Sequence, residues 1–358
     1  MSNQLYDLEK FGWSKWFEER SILQSRPIET AARVAAVDRD QLLLINNHGA
    51  FRAKLSGNYM YRHRLSEELP CVGDWVCVEK SQDDDFGLIH AVLDRKTSLR
   101  RKAAGGSMES QMIAANVDYV IIVQSCHFDF NLNRLERYLV MVMEGGAESF
   151  VLLTKTDLVE PYVLTAQLSQ LRAAGITAPV LTLSNITKEG IDELKRILLP
   201  GKTYCFVGSS GVGKSTIINE LIGQDRLETQ NVSATGEGKH TTVRRELIVL
   251  RNGALVIDNP GMREFGLFGA ENGIAEGFID ISTLASHCRY RDCTHTSEPG
   301  CAVLNALNAG EIDQAHYENY VKLKEESEFN QMSYAEKRKK DRDFGRYLKS
   351  AKKDMRQD

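Results

Sequence analysis

Gly208-Ser209-Ser210-Gly211-Val212-Gly213-Lys214-Ser215 follows the apolar run Tyr204-Cys205-Phe206-Val207 and opens Thr216-Ile217-Ile218-Asn219-Glu220-Leu221-Ile222. The octet fits GxxxxGK[ST] at every fixed position. It also sits between a strand-like run and a helix-like run, the context in which that pattern marks a phosphate loop. The glycines let backbone N–H groups turn inward around a phosphate without a Cβ clash. The helix N-terminus adds its dipole, Lys214 is expected to reach the β- and γ-phosphates, and the Ser215 hydroxyl is expected on Mg²⁺. The expected phosphate-binding stretch is therefore Val207 through Ser215.

Outward from this loop the texture is that of an α/β domain. Apolar runs of strand length at 117–123, 150–153, 179–183, 203–207, 246–250 and 254–257 alternate with amphipathic stretches at 132–144, 162–174, 191–198 and 214–222. Continuous apolar strands alternating with helices imply a mostly parallel sheet covered on both faces.

A phosphate loop does not name the base. Thr154-Lys155-Thr156-Asp157, after the run at 150–153, fits the [NT]KxD box, whose Asp accepts from the N1–H and exocyclic amine of guanine. Taken alone the tetrapeptide is a weak match, and Thr154 stands where Asn is usual. Ser184, ending the run at 179–183, occupies the place of a loop that supports the base. Downstream come His240-Thr241-Thr242 and Asp258-Asn259-Pro260-Gly261, the second a DxxG box ending a strand. Asp258 is expected to hold Mg²⁺, Thr241 or Thr242 to complete its shell, and the Gly261 N–H to sense the γ-phosphate. Met262 follows, where many GTPases carry a water-orienting Gln. His240 is the nearest alternative; it either serves catalysis or simply packs its loop. The base box precedes the phosphate loop, the reverse of the ordinary order. The α/β unit thus reads as a circularly permuted P-loop GTPase binding GTP and GDP.

Before this unit, residues 1–27 form a short lead with Trp13, Trp16 and Phe17. From 28 to 96, runs such as 32–37, 41–45 and 74–78 are broken by turns at 46–49 and 72–74. About five short strands in so few residues suit a small barrel, with an OB-fold expected. Charges there nearly cancel, with 12 Lys/Arg against 11 Asp/Glu over residues 28–102.

After residue 278 the alternation ends, and Cys288, Cys293, His295 and Cys301 crowd together. Three thiolates and one imidazole make the ligand set of a closed structural zinc site, with buried free thiols as the alternative. The other four cysteines read as small buried hydrophobes, and His287 and His316 as ordinary surface or partly buried residues. From 337 to 358 there are ten Lys/Arg against four Asp, compatible with a solvated basic helix or with phosphate contacts. The net charge of −4 gives no global argument for nucleic-acid binding. No stretch approaches a membrane span of roughly 20 apolar residues, and residues 1–10 lack a leader pattern, so the cytoplasm is the expected compartment.

Together, Gly208 to Ser215, Lys239-His240-Thr241-Thr242, Asp258 to Gly261 and the Cys288/Cys293/His295/Cys301 set make the chain resemble the RsgA (YjeQ/YloQ) family of circularly permuted bacterial GTPases. Cys293-Thr294-His295 and Glu298-Pro299-Gly300-Cys301 look especially like that family's zinc segment. Thr154 and Asn259 depart from its usual residues. The resemblance implies an OB-fold barrel at 28–96, a permuted GTPase domain at 97–278 and a zinc-binding helical domain at 279–358. It also implies one structural Zn²⁺, Mg²⁺ with GTP, and a monomer binding the small ribosomal subunit and its rRNA late in assembly, released on hydrolysis. The alternative is a P-loop GTPase of a non-ribosomal process with a purely structural zinc domain.

Overall fold

Five short strands near the N-terminus close on themselves. They are β1 (Ala31–Val37), β2 (Leu42–Asn46), β3 (Gly49–Leu55), β4 (Trp75–Glu79) and β5 (Phe86–Val92). Their hydrogen-bonded order is β1-β2-β3-β5-β4, with β4 returning to β1. All contacts are antiparallel except β3–β5. The interior is filled by small and branched residues, among them Ala32, Val34, Leu44, Ala53, Val76 and Ile89, as so narrow a barrel requires. Trp13 and Phe17 pack against Trp75, the two indoles edge-on at 4.7 Å. The aromatic lead thus covers one flank of the barrel. The computed structural model describes residues 8–23, 30–38, 41–63, 65–79, 86–102, 110–223, 245–258, 267, 269–332 and 336.

A two-stranded ribbon of β6 (Ser98–Lys102) and β7 (Ser110–Ala115) follows. It was not expected from sequence, because its charged first strand lacks the apolar signature of a buried strand. The α/β unit then contributes β8 (Tyr119–Ser125), β9 (Glu148–Thr154), β10 (Val180–Leu183), β11 (Thr203–Val207), β12 (Glu246–Val249) and β13 (Leu255–Asp258). Their order is β10-β9-β8-β11-β13-β12, parallel throughout except for β12, which pairs antiparallel with β13.

Side chains alternate across this sheet, so its apolar runs feed two cores. Val120, Ile122, Cys205, Val207, Leu255 and Ile257 face the core containing Leu135 and Leu139 of helix Leu132–Glu144. Ile121, Val123, Tyr204, Phe206 and Val256 face Ile217, Ile218 and Leu221 of helix Lys214–Ile222. Burial on both faces is why these strands read as continuous apolar runs rather than alternating ones. Among the described residues, the barrel joins the same sheet through one pairing, Ala36 with Glu246.

Helices Glu271–Gly277, Ile279–Ala285, Ala302–Asn308 and Gln314–Gln331 complete the described C-terminal part. The first lies hard against helix Leu132–Glu144. A Cβ at Gly273 would come 2.2 Å from the Val140 carbonyl oxygen, so only glycine permits the approach. No described helix is long and apolar enough to cross a membrane.

Candidate nucleotide and metal sites

Three neighbouring parallel strands deliver the site from their carboxyl ends, where ligands of open α/β sheets bind. The register sets Val207 beside Ile122 and Phe206 beside Asp258, so the loops after β8 and β11 and the end of β13 converge. Gly208 has φ 144°, and a Cβ there would lie 2.2 Å from the Val123 carbonyl oxygen. Gly211 and Gly213 also have positive φ, and Gly213 precedes helix Lys214–Ile222 without any side-chain cap. That helix therefore presents its first N–H groups toward the loop.

Lys214 is buried, and its Nζ donates to the Gly208 carbonyl at 2.7 Å and to that of Ser209. Burial lowers its pKa to about 8, against the opposing influence of the Asp258 and Asp129 carboxylates. Asp258 is 2% exposed, and burial pushes its pKa up to about 6 despite the Lys214 charge. Among the described residues its buried Oδ2 has no hydrogen-bond partner. A buried acceptor without a donor is costly unless something occupies it, and hard divalent cations take such oxygens.

The base box sits at the end of β9. The buried Thr154 hydroxyl donates to the Val212 carbonyl at 2.7 Å and lies 3.2 Å from that of Gln124. Threonine thus makes a direct tie to the phosphate loop. Lys155 has φ 58° and starts the 3-10 turn Thr156–Leu158, which leaves Asp157 exposed. Parallel pairing of Leu183 with Thr154 brings the next loop alongside. Ser184 Oγ donates to Asp157 Oδ1 at 2.5 Å while accepting from the N–H groups of Ile186 and Thr187. With both acceptor directions used, its proton is committed to Asp157. His240, Thr241, Thr242 and Gly261, with Asn259 and Met262, lie outside the described residues, as does the basic stretch 337–358.

The second constellation is brought together fully. Cys288 Sγ and Cys301 Sγ are 3.8 Å apart, and each is 3.5 Å from His295 Nδ1. With Cys293 Sγ, all four atoms lie within 4.8 Å of one another. A tetrahedral zinc with Zn–S of about 2.3 Å and Zn–N of about 2.0 Å requires S···S edges of about 3.8 Å and S···N edges of about 3.5 Å. The residues fit that ion. The loop is braced independently of it, because Glu298 accepts from the Thr294, Thr296 and Ser297 N–H groups. The Thr294 hydroxyl, with the Thr294 and Ser297 N–H groups, holds its carboxyl well below the usual range. Tyr317 OH donates to the His295 carbonyl at 2.6 Å, tying the cluster to helix Gln314–Gln331.

Two groups of side chains escaped sequence reasoning. Asp129 and Arg134 form an ion pair where the loop after β8 enters helix Leu132–Glu144. His316, expected as an ordinary surface or partly buried residue, is partly buried and joined to Glu136 and Asp280 between the α/β unit and the C-terminal helices. Neither belongs to a motif.

Residues 92–268 match the family model of the RsgA GTPase. The chain is 43% identical over 324 residues to small ribosomal subunit biogenesis GTPase RsgA 2 of Listeria monocytogenes serotype 4b, strain F2365, covering 90% of each. Among solved structures it is similar to YjeQ from Thermotoga maritima, at TM-score 0.61 and 26% identity, covering 82% of this chain and 96% of that one. YloQ, described as a circularly permuted GTPase, shares the fold at TM-score 0.59 and 24% identity, covering 85% of this chain and 96% of its own.

Proposed function

Because the chain belongs to the RsgA GTPase family, it hydrolyses GTP, and we propose that it does so as an assembly factor in late maturation of the small ribosomal subunit. The observation that carries this reading is likeness along 90% of both chains to a relative named for small-subunit biogenesis. In this reading the barrel is an OB-fold that meets rRNA, with the order β1-β2-β3-β5-β4 and a single parallel contact in its support. The domains divide at 1–27, 28–96, 97–278 and 279–358.

Val207 to Ser215 cradles the phosphates, with Lys214 on their charge. Thr154, Lys155, Thr156 and Asp157, braced by Ser184, recognise guanine. Ser215 and Asp258, with Thr241 and Thr242, hold Mg²⁺, which neutralises phosphate charge when bound; the partnerless Asp258 oxygen supports its share. Gly261 senses the γ-phosphate. One Zn²⁺ on Cys288, Cys293, His295 and Cys301 holds the C-terminal loop together and leaves no open position for catalysis. In sequence, Asp258 is followed within fifteen residues by helix Glu271–Gly277, so hydrolysis at one end can shift the C-terminal helices at the other. The basic stretch 337–358 adds phosphate contacts, and the protein works as a cytoplasmic monomer.

The test is phosphate release by the purified protein with and without small ribosomal subunits, together with co-sedimentation at rising salt. Slow turnover alone, stimulation by the particle and salt-sensitive binding that weakens with GDP are expected. Turnover and sedimentation indifferent to the particle would remove the ribosomal role and leave the GTPase.

A further inference from the structure

Helix Glu271–Gly277 is poorly equipped to form by itself. It has seven residues, two of them glycine, and its N-cap residue is Ala270, whose methyl group accepts no hydrogen bond. Glycine disfavours helix, short helices are marginal in water, and the first N–H groups of any helix need acceptors from elsewhere. Here other elements supply them. The Ala270 N–H donates to Ser327 Oγ at 3.0 Å, and the Gly273 N–H donates to Glu144 Oε2 at 2.9 Å. A hydroxyl and a carboxylate at a helix start are what capping and the helix dipole favour. They come from helices Gln314–Gln331 and Leu132–Glu144.

The residue that leads in is gripped by the same turn of helix Gln314–Gln331. The Leu267 N–H donates to Glu326 Oε1 at 3.1 Å, and Asn330 Nδ2 donates to the Leu267 carbonyl at 2.6 Å. Glu326 is itself held by Arg137, and Asn330 Oδ1 accepts from Lys102 Nζ at 2.9 Å. Ser327 and Asn330 are 2% and 5% exposed, so water does not compete for these bonds. Residues 326, 327 and 330 share one helix face, and together they act as a single clamp. Leu267, where the clamp begins, stands nine residues after Asp258.

We propose that helix Glu271–Gly277 carries the nucleotide state at Asp258 to the C-terminal helices, with Glu326, Ser327 and Asn330 as the positioning residues that make the two move together. A helix that depends on borrowed caps is a low-stability element, and such elements are the ones that rearrange. By linkage, a partner that pulls on helix Gln314–Gln331 changes nucleotide affinity by the factor with which nucleotide changes its own. The inference rests on the reading of Asp258 as part of the nucleotide site.

The experiment measures amide hydrogen exchange on the full-length, zinc-loaded protein with GDP and with a non-hydrolysable GTP analogue, alongside the affinity for each. In the unmutated chain, exchange over 271–277 and over 314–331 should differ between the two nucleotides by at least about threefold in the same direction. Ser327→Ala combined with Asn330→Ala should speed exchange over 271–277 about fivefold with either nucleotide. It should also erase the nucleotide difference over 314–331 and leave GDP affinity within about twofold. His316→Gln loosens the same helix elsewhere but spares the clamp, so it should keep the difference. If the double variant does not fold, Ser327→Ala alone, which removes one hydroxyl, decides by the same readout. A difference over 314–331 that survives loss of the clamp, or one that His316→Gln abolishes equally, would overturn the proposal. So would identical exchange with two nucleotides that both bind. Failure of the unmutated protein to bind either nucleotide would instead remove the reading of the site itself.

Discussion

His316 Nδ1 lies 2.8 Å from Glu136 Oε1, a contact between residues 180 positions apart that fastens helix Gln314–Gln331 to helix Leu132–Glu144. His316 Nε2 reaches Asp280 at 3.3 Å, and Asn319 Nδ2 donates to the other Glu136 oxygen at 2.5 Å. Arg137 and Glu326 meet at 2.7 Å farther along the same helix pair. The helix that follows β8 is thus the one the C-terminal helices grip.

The His316 cluster makes stability depend on pH. Burial alone would lower the imidazolium pKa, but the Asp280 and Glu136 carboxylates outweigh it and raise it to about 9. An unfolded histidine titrates near 6.5. The stabilisation is therefore complete below about pH 6.5 and is lost as pH rises through about 9. His316→Gln should cost about 2–3 kcal/mol near neutral pH, because Glu136 is left buried without its cation. Urea unfolding of both proteins across this range checks it: the gap should close on the alkaline side, and a constant gap would exclude the charge as its source.

Guanine selectivity should follow Asp157 and its brace. Asp157→Asn is expected to cut GTP affinity at least about tenfold through mispaired hydrogen bonds. Ser184→Ala should cost less, since it only frees the carboxylate that Ser184 Oγ holds at 2.5 Å. Competition titrations with GTP and ATP provide the readout, and equal affinity for the two in the unmutated protein would refute the base assignment.

The purified protein should carry about one zinc per chain. Cys293→Ser should release it and loosen the C-terminal helices, with nucleotide binding largely intact. Elemental analysis and limited proteolysis test this, and metal-free native protein would count against the site.

Turnover stimulated by the ribosomal particle should depend on His240. A thioether at Met262 cannot orient an attacking water, whereas an imidazole can both accept and donate. His240→Ala should abolish stimulation while sparing GTP binding and the slow basal rate. Full stimulation in that variant would move the role to the particle or to another residue.

What could be read from sequence was what is encoded locally. Helices Leu132–Glu144 and Lys214–Ile222 were legible because their apolar periodicity lies within a few turns. The loop at 208–215 and the set Cys288, Cys293, His295 and Cys301 were legible because their chemistry demands particular residue types at short spacing. The β6–β7 ribbon and the His316 contact with Glu136 were not. Each joins segments whose local sequences read the same whether or not they meet. Asp129 and His316 look like any solvated acid and imidazole until packing removes the water around them. Burial, which only the assembled tertiary structure imposes, turns such residues into fixed charges with chosen partners.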